Sequence, residues 1–187
     1  MGLDSVELVM DFETFFNFKM PDVVSEKLRT VQDAVSYISS QITFVNAGVD
    51  IKSDVAKQLA RGLDIAISDI NLSDKIDNLI PCNNEEGWID LASKLSYSIP
   101  FPFPHGKFNK YLDKLFPSNR IDYQNTTVDR FLDLICAVNY KKLIVPGKIQ
   151  NEYEVLIGVM GLTIDKLGVD PYDVFATSNF VNDLGLD

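Results

Sequence analysis

Few residues in this chain can do chemistry, and one of them stands close to its start. Ser5 follows Asp4 and heads an amphipathic run that also carries Glu7, Asp11 and Glu13. A hydroxyl at a helix start is well placed to hold a phosphate ester, because the free backbone N–H groups and the helix dipole there favour an anion. The same Asp-Ser pair is also the commonest form of helix cap, and most such serines carry nothing. The other candidates exclude more than they offer. His105 is the single histidine, so neither a His-based zinc site nor a serine triad can be assembled in one chain. Cys82 and Cys136 form no C-x-x-C, and two scattered thiols of this kind read as small buried residues without a disulfide. Trp88 with Ile89 and Leu91 reads as core. Phe101, Phe103, Phe108 and Tyr111 beside His105 read as an inserted loop packed on its own domain.

The elements that must position Ser5 are helices. Apolar residues recur at helical spacing along most of the chain, and no stretch alternates with period two for long enough to make a strand. The spacing predicts an amphipathic helix from Ser5, with Val6, Val9, Met10, Phe12 and Phe16 on or near one face, stopped at Met20-Pro21. A short helix fits Val23 to Leu28. Thr30 can cap another, with Val31, Ala34, Val35 and Ile38 inward. After a linker over 43–51, helical spacing returns from Ser53 to Ile67, from Glu85 to Leu95, from Thr127 onward, and from Asn151 to Leu167 past a break at Pro146-Gly147. Gly168 to Asp187 reads as loop.

The bulk numbers narrow the partners. A chain of 187 residues suits two compact domains. Its 46% hydrophobic and 24% charged residues are those of an ordinary folded protein. A net charge of -10 argues against nucleic acid, since grip on phosphates comes from clustered Lys and Arg. It would steer the protein toward basic partner surfaces instead. No apolar run approaches the ~20 residues of a membrane span, and the acidic start lacks a signal-peptide n-region, so a cytoplasmic location is expected.

The segment Val155 to Asp187 closes I-D-K-L-G-V-D-P-Y-D-V-F-A-T-S-N-F-V-N-D-L-G-L-D, and resembles the first helix and long loop of an acyl carrier protein. Gly2 to Ile38, with G-L-D-S-V-E-L-V-M-D-F, then K-M-P-D, then T-V-Q-D-A-V-S-Y-I, resembles the family's second, third and fourth helices. Together they resemble a complete carrier domain in the wrong order, joined where Gly185-Leu186-Asp187 and Gly2-Leu3-Asp4 repeat the same G-L-D. The middle follows the same plan: Ile99-Pro100 falls on Met20-Pro21, T-V-D-R-F-L-D-L-I from Thr127 on T-V-Q-D-A-V-S-Y-I, and Asn84 on Ser5. An amide cannot take the phosphate ester that a hydroxyl can, so this copy should be degenerate.

The resemblance implies an all-α protein of two acyl-carrier-like four-helix bundles. One is a permuted domain from residues 1–44 with 150–187, completed within the chain or by swapping into a homodimer; the other is the degenerate domain over 50–145. It implies a 4'-phosphopantetheine arm on Ser5, with Asp4 helping to organise a metal ion during transfer, and Glu7, Asp11 and Glu13 as the acidic docking face. It also implies a phosphopantetheinyl transferase and acyl-processing enzymes of lipid or polyketide synthesis as partners, no activity of its own, and an acyl chain sheltered among Val6, Val9, Phe12, Val159 and Ile164. The alternative is an unmodified carrier-fold interaction or assembly module. One departure stands out. The family commonly reads D-S-L-x-x-V-E-L, whereas Glu7 follows Val6 directly after Asp4-Ser5. Dropping three residues from a helix turns the serine by about 300°, a net swing of about 60°, and brings it about one turn closer to the core positions.

Overall fold

A computed structural model describes residues 2–45, 48, 50–102 and 123–186. Among these the structure is all-helical: α1 (Leu3–Phe16), α2 (Asp22–Ser25), α3 (Val31–Gln41), α4 (Ile51–Gly62), α5 (Ile76–Leu79), α6 (Glu85–Lys94), α7 (Val128–Val138), α8 (Tyr140–Leu143) and α9 (Glu152–Leu167), with no strand. No helix among them is long and apolar enough to cross a membrane. The chain divides into two compact units, Met1–Ile51 with Cys136–Asp187, and Lys52–Ile135. His105, Phe103, Phe108 and Tyr111 lie outside the described residues.

In the first unit, local chemistry sets the helix ends. Thr30 and Asp33 form a reciprocal capping box at the start of α3, with Asp33 N–H donating to Thr30 Oγ1 (3.1 Å) and Thr30 N–H to Asp33 Oδ2 (2.9 Å). Asn151 caps α9 by accepting from Glu154 N–H (3.0 Å), and α9 ends on Gly168 in the left-handed region (φ 63°). α9 packs on both α1 and α3. It runs antiparallel to α1, because Gly158 meets the rings of Phe15 and Phe16 while Lys166, two turns further on, pairs with Glu7. The buried face of α1 is therefore Leu8, Phe12, Phe15 and Phe16, with Ser5 one turn before them on the same stripe.

The end of the chain then pairs with the start of α3. Val31 N–H donates to Ser178 O (3.1 Å), Gln32 N–H to Ala176 O (2.7 Å) and Phe180 N–H to Arg29 O (2.9 Å), with Thr30 bridged to Asn179. The second unit makes the same set at the start of α7. Val128 N–H donates to Asp74 O (2.8 Å), Asp129 N–H to Leu72 O (3.0 Å) and Ile76 N–H to Thr126 O (2.9 Å), with Lys75 bridged to Thr127. The match continues upstream. α4 is followed by Asp64 in the left-handed region (φ 56°), as α9 is by Gly168, and a 3-10 turn comes next in each, Ile67–Asp69 and Pro171–Asp173.

Several expectations need correction. α1 starts at Leu3 with Gly2 as its cap, so Ser5 lies inside the helix and not at its head. Val6 (42% exposed) and Met10 (56%) face outward, because the packing of α9 selects the stripe one residue away. The suggested shelter for an acyl chain is split accordingly: Phe12 and Val159 are buried, Val9 and Ile164 only partly so, and Val6 is outside. α4 stops at Gly62 instead of reaching Ile67, since the left-handed Asp64 turns the chain and lets Ile65 N–H bond Ala60 O (3.0 Å). Trp88 and Leu91 are core, as expected, but Ile89 points outward; Cys136 is buried, and Cys82 is partly exposed.

Gly161 is the tightest point of α9. A Cβ there would come within 2.6 Å of the Ala137 carbonyl oxygen, a backbone atom that cannot step aside as a side chain could. Gly161→Ala should therefore lower stability by about 1–3 kcal/mol from overpacking, although the same change in an open helix gains about 1 kcal/mol. A urea midpoint that rises instead would show that α9 can shift away.

Candidate functional site

The candidate site residues Asp4, Ser5, Glu7, Asp11 and Glu13 all lie on α1, a helix that presents three parallel stripes. Ser5 belongs to the buried stripe and is 7% exposed. Its hydroxyl donates to Gly2 O (2.8 Å), closing the first turn on itself, and Val6 N–H makes a long bond to the same oxygen (3.4 Å). Nothing in this geometry activates the hydroxyl as a nucleophile: a carbonyl oxygen is no general base.

Asp4, Glu7 and Asp11 form the second stripe, spaced three and four residues apart on one side of α1. Asp4 is exposed; Glu7 and Asp11 are partly so. Lys166, at the last turn of α9, pairs with Glu7, and the carboxylates of Glu7, Asp11 and Asp4 together raise its pKa above the usual lysine value, the bond to Glu7 most of all. The pair also joins the negative end of one helix dipole to the positive end of the other. Leu3 (73% exposed), Val6 and Met10 form the third stripe, an apolar strip beside the acids. Sequence reasoning missed this strip and missed Lys166. The spacing of Leu3, Val6 and Met10 signals one face, but which apolar stripe is buried depends on α9, far off in the sequence.

Glu13 has a different occupation. Its Oε2 accepts from Lys19 Nζ (2.8 Å) and its Oε1 from Met20 N–H (2.7 Å), so it binds the turn after α1 to the helix. The bond to Lys19 first, and then the Met20 N–H, hold its carboxyl below the usual range. The structure thus sets Asp4, Glu7 and Asp11 along one side of α1 and leaves Glu13 on another, with its carboxylate in use.

In the second unit, Asn84 caps α6, accepting from Gly87 N–H (3.0 Å). It therefore stands at a helix cap, whereas Ser5 stands inside α1; the residue of α1 at that place is Gly2. Trp88 is fully buried behind it, its indole N–H donating to Pro81 O (3.1 Å) and its ring set edge-on to Phe131. Among the described residues no group of His, Cys, Asp and Glu is arranged to hold a metal ion.

No family model matches the chain, and no solved structure matches it. Over 37 residues the chain is 53% identical to an acyl carrier protein of Chloroherpeton thalassium (strain ATCC 35110 / GB-78). That stretch is 20% of this chain and 46% of that protein, so the chain spans about half the length of the curated relative it matches.

The environment of Glu13 predicts a pH dependence. A carboxylate whose folded pKa lies below its unfolded value of about 4.5 adds stability that is complete above that value and is lost as pH falls through the lowered folded pKa. Glu13→Gln keeps an acceptor for Met20 N–H but loses the charge, and should cost about 1 kcal/mol at pH 7. Urea unfolding at pH 7 and pH 3 should show that difference shrinking in acid. A gap of constant size would mean that the charge of Glu13 is not involved.

Proposed function

We propose that this chain is an acyl-carrier-type protein that docks with acyl-processing enzymes through the exposed end of α1. What supports the reading is the partial likeness to an acyl carrier protein. With it goes the assembly of one helical unit from both ends of the chain. In this reading the unit formed by the terminal segments is a permuted carrier domain and the middle unit a degenerate copy. The main-chain bonds repeated at the starts of α3 and α7 support that pairing of the two. The protein carries out no reaction itself and works in the cytoplasm. Asp4, Glu7 and Asp11 face basic partner surfaces, in keeping with a net charge of -10.

In its full form the proposal adds a phosphopantetheine arm on Ser5, joined by a phosphodiester and ending in a thiol that holds an acyl group as a thioester. For a transferase to reach the Ser5 hydroxyl, the first turn of α1 must open, since the side chain is 7% exposed and bonded to Gly2 O.

The second reading, an unmodified carrier-fold interaction or assembly module, has its own observation. When Val6-Glu7-Leu8 is set on the V-E-L of D-S-L-x-x-V-E-L without a gap, Leu3 falls on the pattern's leucine and Gly2 on its serine. Gly2 is the cap of α1, and Asn84 is the cap of α6. Neither has a hydroxyl to modify, and the buried place of Ser5 needs no further explanation in this register.

Intact mass after incubation with coenzyme A and a broad phosphopantetheinyl transferase separates the two. The full carrier reading expects one added arm on the wild type and none on Ser5→Ala. An unchanged wild-type mass, with an authentic carrier modified in the same tube, would leave the docking module.

A further inference from the structure

The place of Ser5 raises a question that a carrier role does not answer: what keeps the hydroxyl in. Within the first turn of α1 the bond from the Ser5 hydroxyl to Gly2 O (2.8 Å) is one local restraint, and the others are weak. Gly2 makes no side-chain cap, the bond from Val6 N–H to Gly2 O is long at 3.4 Å, and Leu3 and Asp4 are exposed. Beside the packing of Ser5 itself, a tie to the rest of the unit at this end of the helix is the ion pair from Lys166 at the end of α9 to Glu7. Glu7 lies two residues past Ser5, so the pair grips α1 just behind the turn that covers the hydroxyl. The next anchor along the buried stripe is Leu8, 2% exposed.

We propose that the Lys166–Glu7 ion pair is a latch that sets how often the first turn of α1 opens and exposes the Ser5 hydroxyl. As regulation of access to Ser5 it rests on the carrier reading; as a conformational device it stands apart from it. With the latch closed, Ser5 is buried on the core stripe. A partner whose basic groups compete for Glu7, Asp4 and Asp11 would draw Glu7 off Lys166 and free the turn in the act of docking. Access to the hydroxyl would then be granted by the partner surface itself and withheld from solvent. The pair is partly exposed, with side-chain accessibilities of 23% for Lys166 and 44% for Glu7, so salt should loosen it as well.

The test uses the full chain carrying Ser5→Cys, labelled with iodoacetamide, an uncharged reagent, and read by peptide mass so that position 5 is counted apart from Cys82. Glu7→Gln and Lys166→Gln break the same pair while moving the net charge in opposite directions. A latch predicts that each speeds labelling at position 5 by about two- to fivefold, the factor that a pair of this exposure supports. It also predicts that raised salt speeds the parent and leaves both variants unchanged. Rates that stay put, or that move in opposite senses with charge, would overturn it. Amide exchange at Val6, followed with serine in place at position 5, gives a second reading that does not depend on the substitution, and the same acceleration is expected. Whether a transferase adds an arm bears only on the carrier reading: faster labelling without any arm would keep the latch and reject the modification.

Discussion

The structure of the first unit depends on how closely α9 can approach. Gly158 lets the rings of Phe15 and Phe16 lie against the helix backbone, and Gly161 does the same for Tyr140 and the Ala137 carbonyl. With side chains at these two places, α9 would stand further off and the aromatic end of α1 would lose its floor. Each of those rings is worth about 1.5–3 kcal/mol of burial. The placement of α1 goes with this contact: which of its stripes is buried, which of its residues meets Lys166, and why Ser5 lies in the core stripe.

That dependence explains what could be read in the sequence and what could not. The start of α3 at Thr30 and the start of α9 at Asn151 were legible because each is decided by side chains within a few residues of the boundary, whereas α1 ends at Phe16 on the left-handed Asn17, four residues before the expected stop at Met20-Pro21. The all-helical character was legible from apolar spacing. The orientation of α1 was not, because Leu3, Val6 and Met10 make as good an apolar stripe as Leu8, Phe12 and Phe15. Only a helix from the other end of the chain decides between them. The end of α4 was misplaced for a related reason. Ile65 and Ile67 continue the helical spacing, and nothing local announces that Asp64 takes a left-handed turn.

The candidate site shows the same division. The acids of α1 were legible as a group, and three of the four, Asp4, Glu7 and Asp11, share one side of the helix. Glu13 stands apart from the other three because Lys19 and the Met20 N–H, brought back by the left-handed Asn17, bind its carboxylate, and these partners could not be read from the spacing of the acids. The burial of Ser5 had a trace in the sequence: the missing three residues between the serine and Val6 turn it toward the core. The trace has a second solution, in which nothing is missing and the cap residue alone differs, and the observed start of α1 at Leu3 suits that solution without strain.

The two units sharpen this point. Each sets the start of a helix against an extended segment through the same main-chain bonds, so that α3 and α7 are begun in the same way by residues from different parts of the chain. Main-chain bonds are indifferent to side chains, which is why the pattern survives although Ser178 and Ala176 answer to Asp74 and Leu72. What side chains do decide is the function laid over it. At the start of α6 an asparagine is spent on capping, and at the start of α1 a glycine leaves the cap bare. The hydroxyl on this turn is that of Ser5, inside the helix and on the buried stripe. A modification of Ser5 would first have to move that turn, and in the proposed latch the charges around Lys166, rather than the reactivity of the hydroxyl, set how often it moves.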